Sequence, residues 1–275
     1  MEPWLLFFDI DGTLLDNDTN QVPDSTIKAL KKAQAAGHKI FLCTGRCRVF
    51  IPKQVAEIGF DGMVAGCGTA IYYEGQKKMH ATLPQKLQRE IAEDMLRCRL
   101  DGVLEGDRYC YFQDEPFLPW VKKFYHDNGV FFGPDCQKKW QQEETLAFDK
   151  FTLWFNEHSD IDGFKSKYEK QFDFIRRASD FYEVVPKGYS KATGIERMCR
   201  ETGVEQRHTM GFGDSTNDLP MLDYTAVSVA MGNSDPVLFD RVDYVTASVK
   251  EDGIEKALYK YNICLLYTSD AADEL

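Results

Sequence analysis

Long apolar runs are missing from this chain. Nothing in it approaches the ~18 consecutive apolar residues that span a bilayer, and the short run at 4–8 follows an acid and is ended at once by Asp9, unlike a secretory leader. An excess of positive charge is missing too. With 33 Lys and Arg against 44 Asp and Glu, the formal net charge is −11. That balance argues against a nucleic acid or an anionic membrane as partner, because both need clustered positive charge. An acidic chain binds a phosphate-bearing ligand only where a cation or local Lys and Arg reverse the field, which points towards a metal. Paired metal-binding cysteines are also lacking. The eight cysteines are scattered, with no Cys-x-x-Cys and no nearby histidine pair, so a zinc site is not expected. They read as small buried groups in a reducing, cytoplasmic compartment.

What is present is enough for a sizeable core: 275 residues, 43% of them hydrophobic, which fits one large or two unequal domains. The apolar run at 4–8 suits a strand buried on both faces. Pro23-Asp24 opens a helix closed by Gly37, and 39–43 is a second strand. A helix over 52–58 ends at Gly59, a third strand spans 62–65, and a hairpin turns at Glu74-Gly75. This β-α-β-α-β order implies parallel pairing and an open, doubly wound, mostly parallel α/β sheet with a Rossmann-like core. From 84 to 185 the rhythm changes to a mix of strand-like and helix-like segments rich in aromatics (Phe112, Trp120, Phe131, Phe132, Trp140, Phe151, Trp154, Phe155), most of which suit a core of their own. The α/β rhythm then returns, with a helix over 190–201, strands at 208–212, 226–230 and 243–246, and helices after Asp218, Pro236 and Gly253. Residues 1–83 and 186–263 therefore read as the α/β core, 84–185 as an inserted α+β cap, and 264–275 as a non-native tail.

Four clusters carry chemistry, at or beside the carboxyl ends of predicted strands, where open α/β sheets place ligands. In Asp9-Ile10-Asp11-Gly12-Thr13 two carboxylates share one side of an extended segment, and they repel unless a cation or proton is shared. A calcium loop fails on spacing, since Leu14 or Gln21 stands where such a loop needs glycine. Thr44-Gly45-Arg46 offers a hydroxyl and backbone N–H groups that can hold phosphoryl oxygens. In Pro186-Lys187-Gly188-Tyr189-Ser190-Lys191 either lysine is a candidate cation. Gly211-Phe212-Gly213-Asp214-Ser215-Thr216-Asn217-Asp218 supplies oxygen ligands suited to a hard cation.

Together, in this order, these clusters resemble the haloacid dehalogenase superfamily, and within it the Cof-type branch with a large inserted cap; the resemblance covers residues 4–262. It implies a phosphatase of small phosphorylated metabolites such as sugar phosphates or phosphorylated cofactors, acting as a monomer or homodimer. It implies Asp9 as nucleophile, Asp11 as general acid and base, and Thr44, Gly45, Arg46, Lys191 and Asn217 around the phosphoryl group. Lys191 suits the family lysine better than Lys187, because Ser190-Lys191 opens a helix. Mg²⁺ is implied on Asp9, Asp11 (through its backbone carbonyl), Asp214 and, through a metal-bound water, Asp218. A phosphomutase, whose cap is usually smaller and inserted elsewhere, or a non-catalytic binding protein are the alternatives. One departure is visible: the turn after the third strand, usually Asn-Gly-Ala-like, is Gly66-Cys67-Gly68-Thr69, which bears on the leaving group. Cys67 has no histidine beside it in sequence and is not expected to be a nucleophile.

Overall fold

The computed structural model describes residues 2–132 and 136–264. Residues 265–275, most of the expected tail, and the side chains of Phe131 and Phe132 lie outside what is described. In chain order the elements are β1 (Leu5–Phe8), α1 (Asp24–Ala35), β2 (Lys39–Cys43), α2 (Lys53–Ala56), β3 (Gly62–Ala65), β4 (Ala70–Tyr73), β5 (Gln76–His80), α3 (Gln85–Arg97), β6 (Val103–Glu105), β7 (Cys110–Phe112) and α4 (Pro119–Phe132). They continue with β8 (Gln137–Lys139), β9 (Lys150–Trp154), α5 (Ile161–Tyr168), β10 (Phe172–Ala178), β11 (Phe181–Pro186), α6 (Lys191–Thr202), β12 (Thr209–Gly213), α7 (Leu219–Tyr224), β13 (Val227–Ala230), β14 (Tyr244–Val245) and α8 (Gly253–Lys260).

The chain divides into two compact units. The first comprises residues up to Cys43, Gln54–Gly62, and Glu196 onward. Its strands lie in the order β14-β13-β12-β1-β2, all parallel. All four residues of β1 are fully buried, which is why that strand is apolar at every position rather than at alternate ones. Phe8 stacks on Phe212 and Phe7 on Phe41, with ring centroids 4.6 and 5.1 Å apart. Thr26, Ala29, Leu30 and Ala33 form the buried stripe of α1. Cys264, assigned to the tail on sequence grounds, is buried, and its thiol donates to the Ala29 carbonyl at 3.2 Å.

The second unit comprises Thr44–Lys53 and Met63–Ile195. Residues 84–185 all fall in it, together with the β4/β5 hairpin, whose turn at Glu74-Gly75 has φ of +51° and +71° as the sequence suggests. Its six-stranded sheet has the order β10-β11-β9-β6-β7-β8 and is antiparallel except at β7/β8. Phe112, Trp140, Phe151 and Trp154 are core residues, as expected, whereas Trp120 is 46% exposed. Two helices differ from expectation. The segment at 52–58 is helical only over α2, because Ile58 and Gly59 close it with three-residue hydrogen bonds to Val55 and Ala56. Residues Pro236–Arg241 form a 3-10 turn capped by Asp235, which accepts from the Val237 N–H at 3.1 Å.

Candidate active site

In the first unit, adjacent parallel strands deliver two acidic loops to one place. The Asp9 N–H donates to the Phe212 carbonyl at 3.0 Å, so Asp9 leaves β1 beside the end of β12. The chain then turns tightly, with the N–H groups of Thr13, Leu14 and Leu15 all directed at the Ile10 carbonyl. Gly12 sits at φ +75°, and a Cβ there would lie 2.3 Å from Asp214 Oδ2. Glycine is required on both counts. The Thr13 hydroxyl donates to Asp214 Oδ1 at 3.1 Å, and the Asn233 amide donates to the Gly12 carbonyl at 2.8 Å.

Asp218, fully buried, accepts from the N–H groups of Asp214 (3.0 Å) and Ser215 (3.1 Å) through Oδ2 and closes a capping box with Ser215. Asn217 accepts from the Ser215 hydroxyl and so braces the same loop. The outcome is that Asp9, Asp214 and Asp218 each bring a carboxylate oxygen within 4.8 Å of the others. Three carboxylates this close repel strongly unless positive charge is shared between them. Oxygens bound to one octahedral ion at ~2.1 Å stand about 3.0–4.2 Å apart. The donor set is oxygen-only and fits a hard divalent cation rather than zinc. The Asp11 side chain is exposed and its carboxylate is not part of the cluster. That carboxylate therefore suits proton transfer rather than metal ligation.

In the second unit, the Thr44 N–H donates to the Val64 carbonyl (2.9 Å) and the Thr44 carbonyl accepts from the Cys67 N–H (3.0 Å). The Gly66 N–H donates to the Arg46 carbonyl at 2.8 Å. These bonds lock the Thr44-Gly45-Arg46 loop to the Gly66-Cys67-Gly68 turn. Thr44 is buried, and its Oγ1 accepts from the Arg46 N–H at 3.1 Å. One guanidinium nitrogen of Arg46 donates to the Phe50 carbonyl at 2.9 Å. Lys191, the first residue of α6, is 1% exposed, whereas the Lys187 side chain is 51% exposed and 3.9 Å from Asp173. Of the two candidate lysines, only Lys191 has the environment of a built site. A Cβ on Gly68 would lie 2.2 Å from the Ser190 carbonyl, so that turn packs directly against the residue before Lys191.

Cys67 is buried, has φ +55°, and its thiol donates to Glu183 Oε1 at 3.3 Å. Burial, reinforced by the Glu183 charge, pushes its pKa well above that of an ordinary thiol, which rules against a nucleophilic thiolate.

Sequence reasoning missed two groups of polar residues. Thr13 and Asn233 tie the acidic loops together. Lys150, Glu105 and Glu183 form a buried triad beside Gly45, with Lys150 Nζ 3.1 Å from Glu105 and 2.7 Å from Glu183. Burial pushes the Glu105 carboxyl up and outweighs the pull of Lys150. At Glu183 burial pushes the same way, but the Lys150 charge and hydrogen bond win and hold that carboxyl low. The detectable signal was Met231-Gly232-Asn233 after an apolar strand, another polar loop at a carboxyl strand end; the triad had none.

A parallel α/β sheet whose adjacent strand ends converge on an oxygen-only carboxylate cluster is an α/β fold with a group of side chains that could hold a hard cation. The chain belongs to the haloacid dehalogenase-like hydrolase family, which it matches over residues 6–258, and to its Cof-type branch. It is 30% identical over 275 residues to YkrA of Bacillus subtilis (strain 168), covering 94% of this chain and 97% of that one. It is 23% identical over 273 residues to the 5-amino-6-(5-phospho-D-ribitylamino)uracil phosphatase YitU of the same organism, covering 94% and 98%. Among solved structures, the subclass IIB sugar phosphatase BT4131 superposes with a TM-score of 0.80 at 28% identity, covering 94% of this chain and 99% of that one.

Proposed function

We propose that this hydrolase is a phosphatase that removes phosphate from a small phosphomonoester by way of an aspartyl phosphate on Asp9. The observation that carries the reading is the cluster of Asp9, Asp214 and Asp218, with the Asp11 carboxylate held outside it. Asp9 Oδ attacks phosphorus in line, and the bond from phosphorus to the ester oxygen breaks. Asp11 gives its proton to the departing oxygen. A water then attacks the phosphoryl group and passes a proton back to Asp11, and the bond between phosphorus and Asp9 breaks to release inorganic phosphate. Thr44 donates its hydroxyl to a phosphoryl oxygen, the backbone of Gly45 and Arg46 shapes that cradle, and Lys191 offsets charge between nucleophile and phosphate. Asn217 holds the loop that carries Asp214 and Asp218. Mg²⁺, held by Asp9, Asp214, Asp218 and the Asp11 carbonyl, would supply the positive charge that lets an anionic nucleophile meet an anionic ester.

Residues 84–185 act as the cap that selects the leaving group. The names of the relatives support a small phosphorylated metabolite, either a sugar phosphate or a phosphorylated cofactor such as pyridoxal phosphate. The test is phosphate release from p-nitrophenyl phosphate. Asp9→Asn abolishes turnover, because an amide cannot form the acyl phosphate, and Asp11→Asn slows it by about 10²–10⁴-fold. Chelation stops the reaction and Mg²⁺ restores it. Equal residual activity in the two variants, or release that survives chelation, defeats the proposal.

A further inference from the structure

We propose that Lys150 is a positioning residue for the Thr44 hydroxyl, acting through the peptide bond between Gly45 and Arg46. This rests on the reading of Thr44 as a phosphoryl donor and adds a residue to it. Lys150 opens β9, Glu105 ends β6 and Glu183 lies in β11, so three neighbouring strands of the six-stranded sheet bring the triad together. All three are buried, with Lys150 at 1%, Glu105 at 5% and Glu183 at 6% exposure. The two carboxylates account for two of the three ammonium protons. The remaining donor leaves the sheet and meets the Gly45 carbonyl at 2.8 Å.

That carbonyl and the Arg46 N–H belong to one planar trans peptide, so they point in opposite directions and turn as a unit. With Lys150 holding the oxygen end, the N–H end is directed at Thr44 Oγ1, 3.1 Å away. A charge on the carbonyl also polarises the amide and strengthens its donation. A hydroxyl that accepts such a bond directs its own proton elsewhere, and in the proposed reaction that direction is a phosphoryl oxygen. The junction is closely packed: a Cβ on Gly45 would stand 3.0 Å from Glu183 Oε1, tighter than ordinary contact, and one on Gly66 would meet Lys150 Cδ in ordinary contact at 3.6 Å.

Removing Lys150 alone strands two buried carboxylates and confounds folding with catalysis. The test therefore uses the full chain carrying Glu105→Gln, Lys150→Met and Glu183→Gln together, which removes all three charges at similar volume. Its folding is checked by circular dichroism and thermal melting. With p-nitrophenyl phosphate and Mg²⁺, the triple variant is expected to lose about 10–10²-fold in kcat, the scale of a misplaced group, with KM nearly unchanged. Thr44→Val is expected to cost about 10²-fold in the wild-type background and no more than about tenfold in the triple variant, because both changes remove the same interaction. Glu105→Gln alone retains the bond to Gly45 and keeps kcat within about twofold. A folded triple variant with wild-type kcat, or a Thr44→Val penalty equal in both backgrounds, overturns the role of Lys150 while an inactive Asp9→Asn leaves the parent reading standing. An active Asp9→Asn enzyme overturns both.

Discussion

Replacing Gly12 by alanine tests the geometry of the acidic cluster without altering a single charge. Two costs arise. The first is conformational: Gly12 has φ +75°, and an L-residue there costs roughly 1–2 kcal/mol. The second is steric. The new Cβ would stand 2.3 Å from Asp214 Oδ2 and 2.7 Å from its Cγ, where ordinary contact begins at 3.4 Å. Asp214 must therefore retreat by about 1 Å, stretching its bond from Thr13 and opening the cluster. Misplacement on that scale costs roughly 10²-fold in rate, or about 2.7 kcal/mol of barrier. Gly203 provides a matched control, with φ +72° and open space for 4 Å around the position a Cβ would take. Both alanine variants are expected to melt at lowered temperatures, Gly12→Ala the lower because only it carries the steric cost. Only Gly12→Ala should lose about two orders of magnitude in phosphate release and need more Mg²⁺ for half-maximal rate. A Gly12→Ala enzyme with wild-type rate at subsaturating Mg²⁺ would refute the reasoning, as would a Gly203→Ala enzyme crippled to the same degree.

Two further outcomes follow from buried groups away from the acidic loops. Asp94 accepts from Arg97 (2.7 Å), Lys167 (2.6 Å) and Tyr168 (2.7 Å); burial pushes its carboxyl up, but these bonds outweigh it and hold the pKa below the ordinary 3.8. A lowered carboxyl stabilises the fold above its unfolded value and ceases to as pH falls through its folded value. Asp94→Asn should thus cost about 1–3 kcal/mol at pH 7, with the gap in urea midpoints closing only below pH ~3.8; a gap that widens in acid contradicts this. Among the described cysteines all but Cys136 are buried, and burial raises Cys199 and Cys264 to about 11. Native protein should therefore react quickly with a disulfide reagent at about one thiol, and at all eight after denaturation. Rapid labelling of a peptide containing Cys67 is the contrary result.

What could be read from the sequence divides along physical lines. Strand β1 was legible because burial on both faces leaves no polar position, and the hairpin turn because Glu74-Gly75 carries the left-handed residues that such a turn demands. The acidic loops were legible because polar residues crowd directly after apolar strands. The lysine choice was legible only in outline; burial separates Lys191 from Lys187, and burial is a tertiary property. Lys150 was not legible at all. Its partners lie 45 and 33 residues away, and a lysine at a strand's start reads as a solvated end. Asn233 did carry a signal, a polar loop after an apolar strand, but its partner could not be read, since its amide reaches 221 residues back to Gly12.

The bond from Thr13 to Asp214 joins residues 201 apart, and β1 has its parallel partner β12 at a comparable remove. During synthesis the first strand leaves the ribosome soon followed by β2, its partner on one side, but long before β12 exists, so its other edge stays open while the whole of the second unit is made. A nascent or prematurely terminated chain ending before β12 therefore carries the proposed nucleophile without Asp214 and Asp218, the other two members of its carboxylate cluster. Catalytic competence arrives late and all at once, when β12 and the loop behind it emerge.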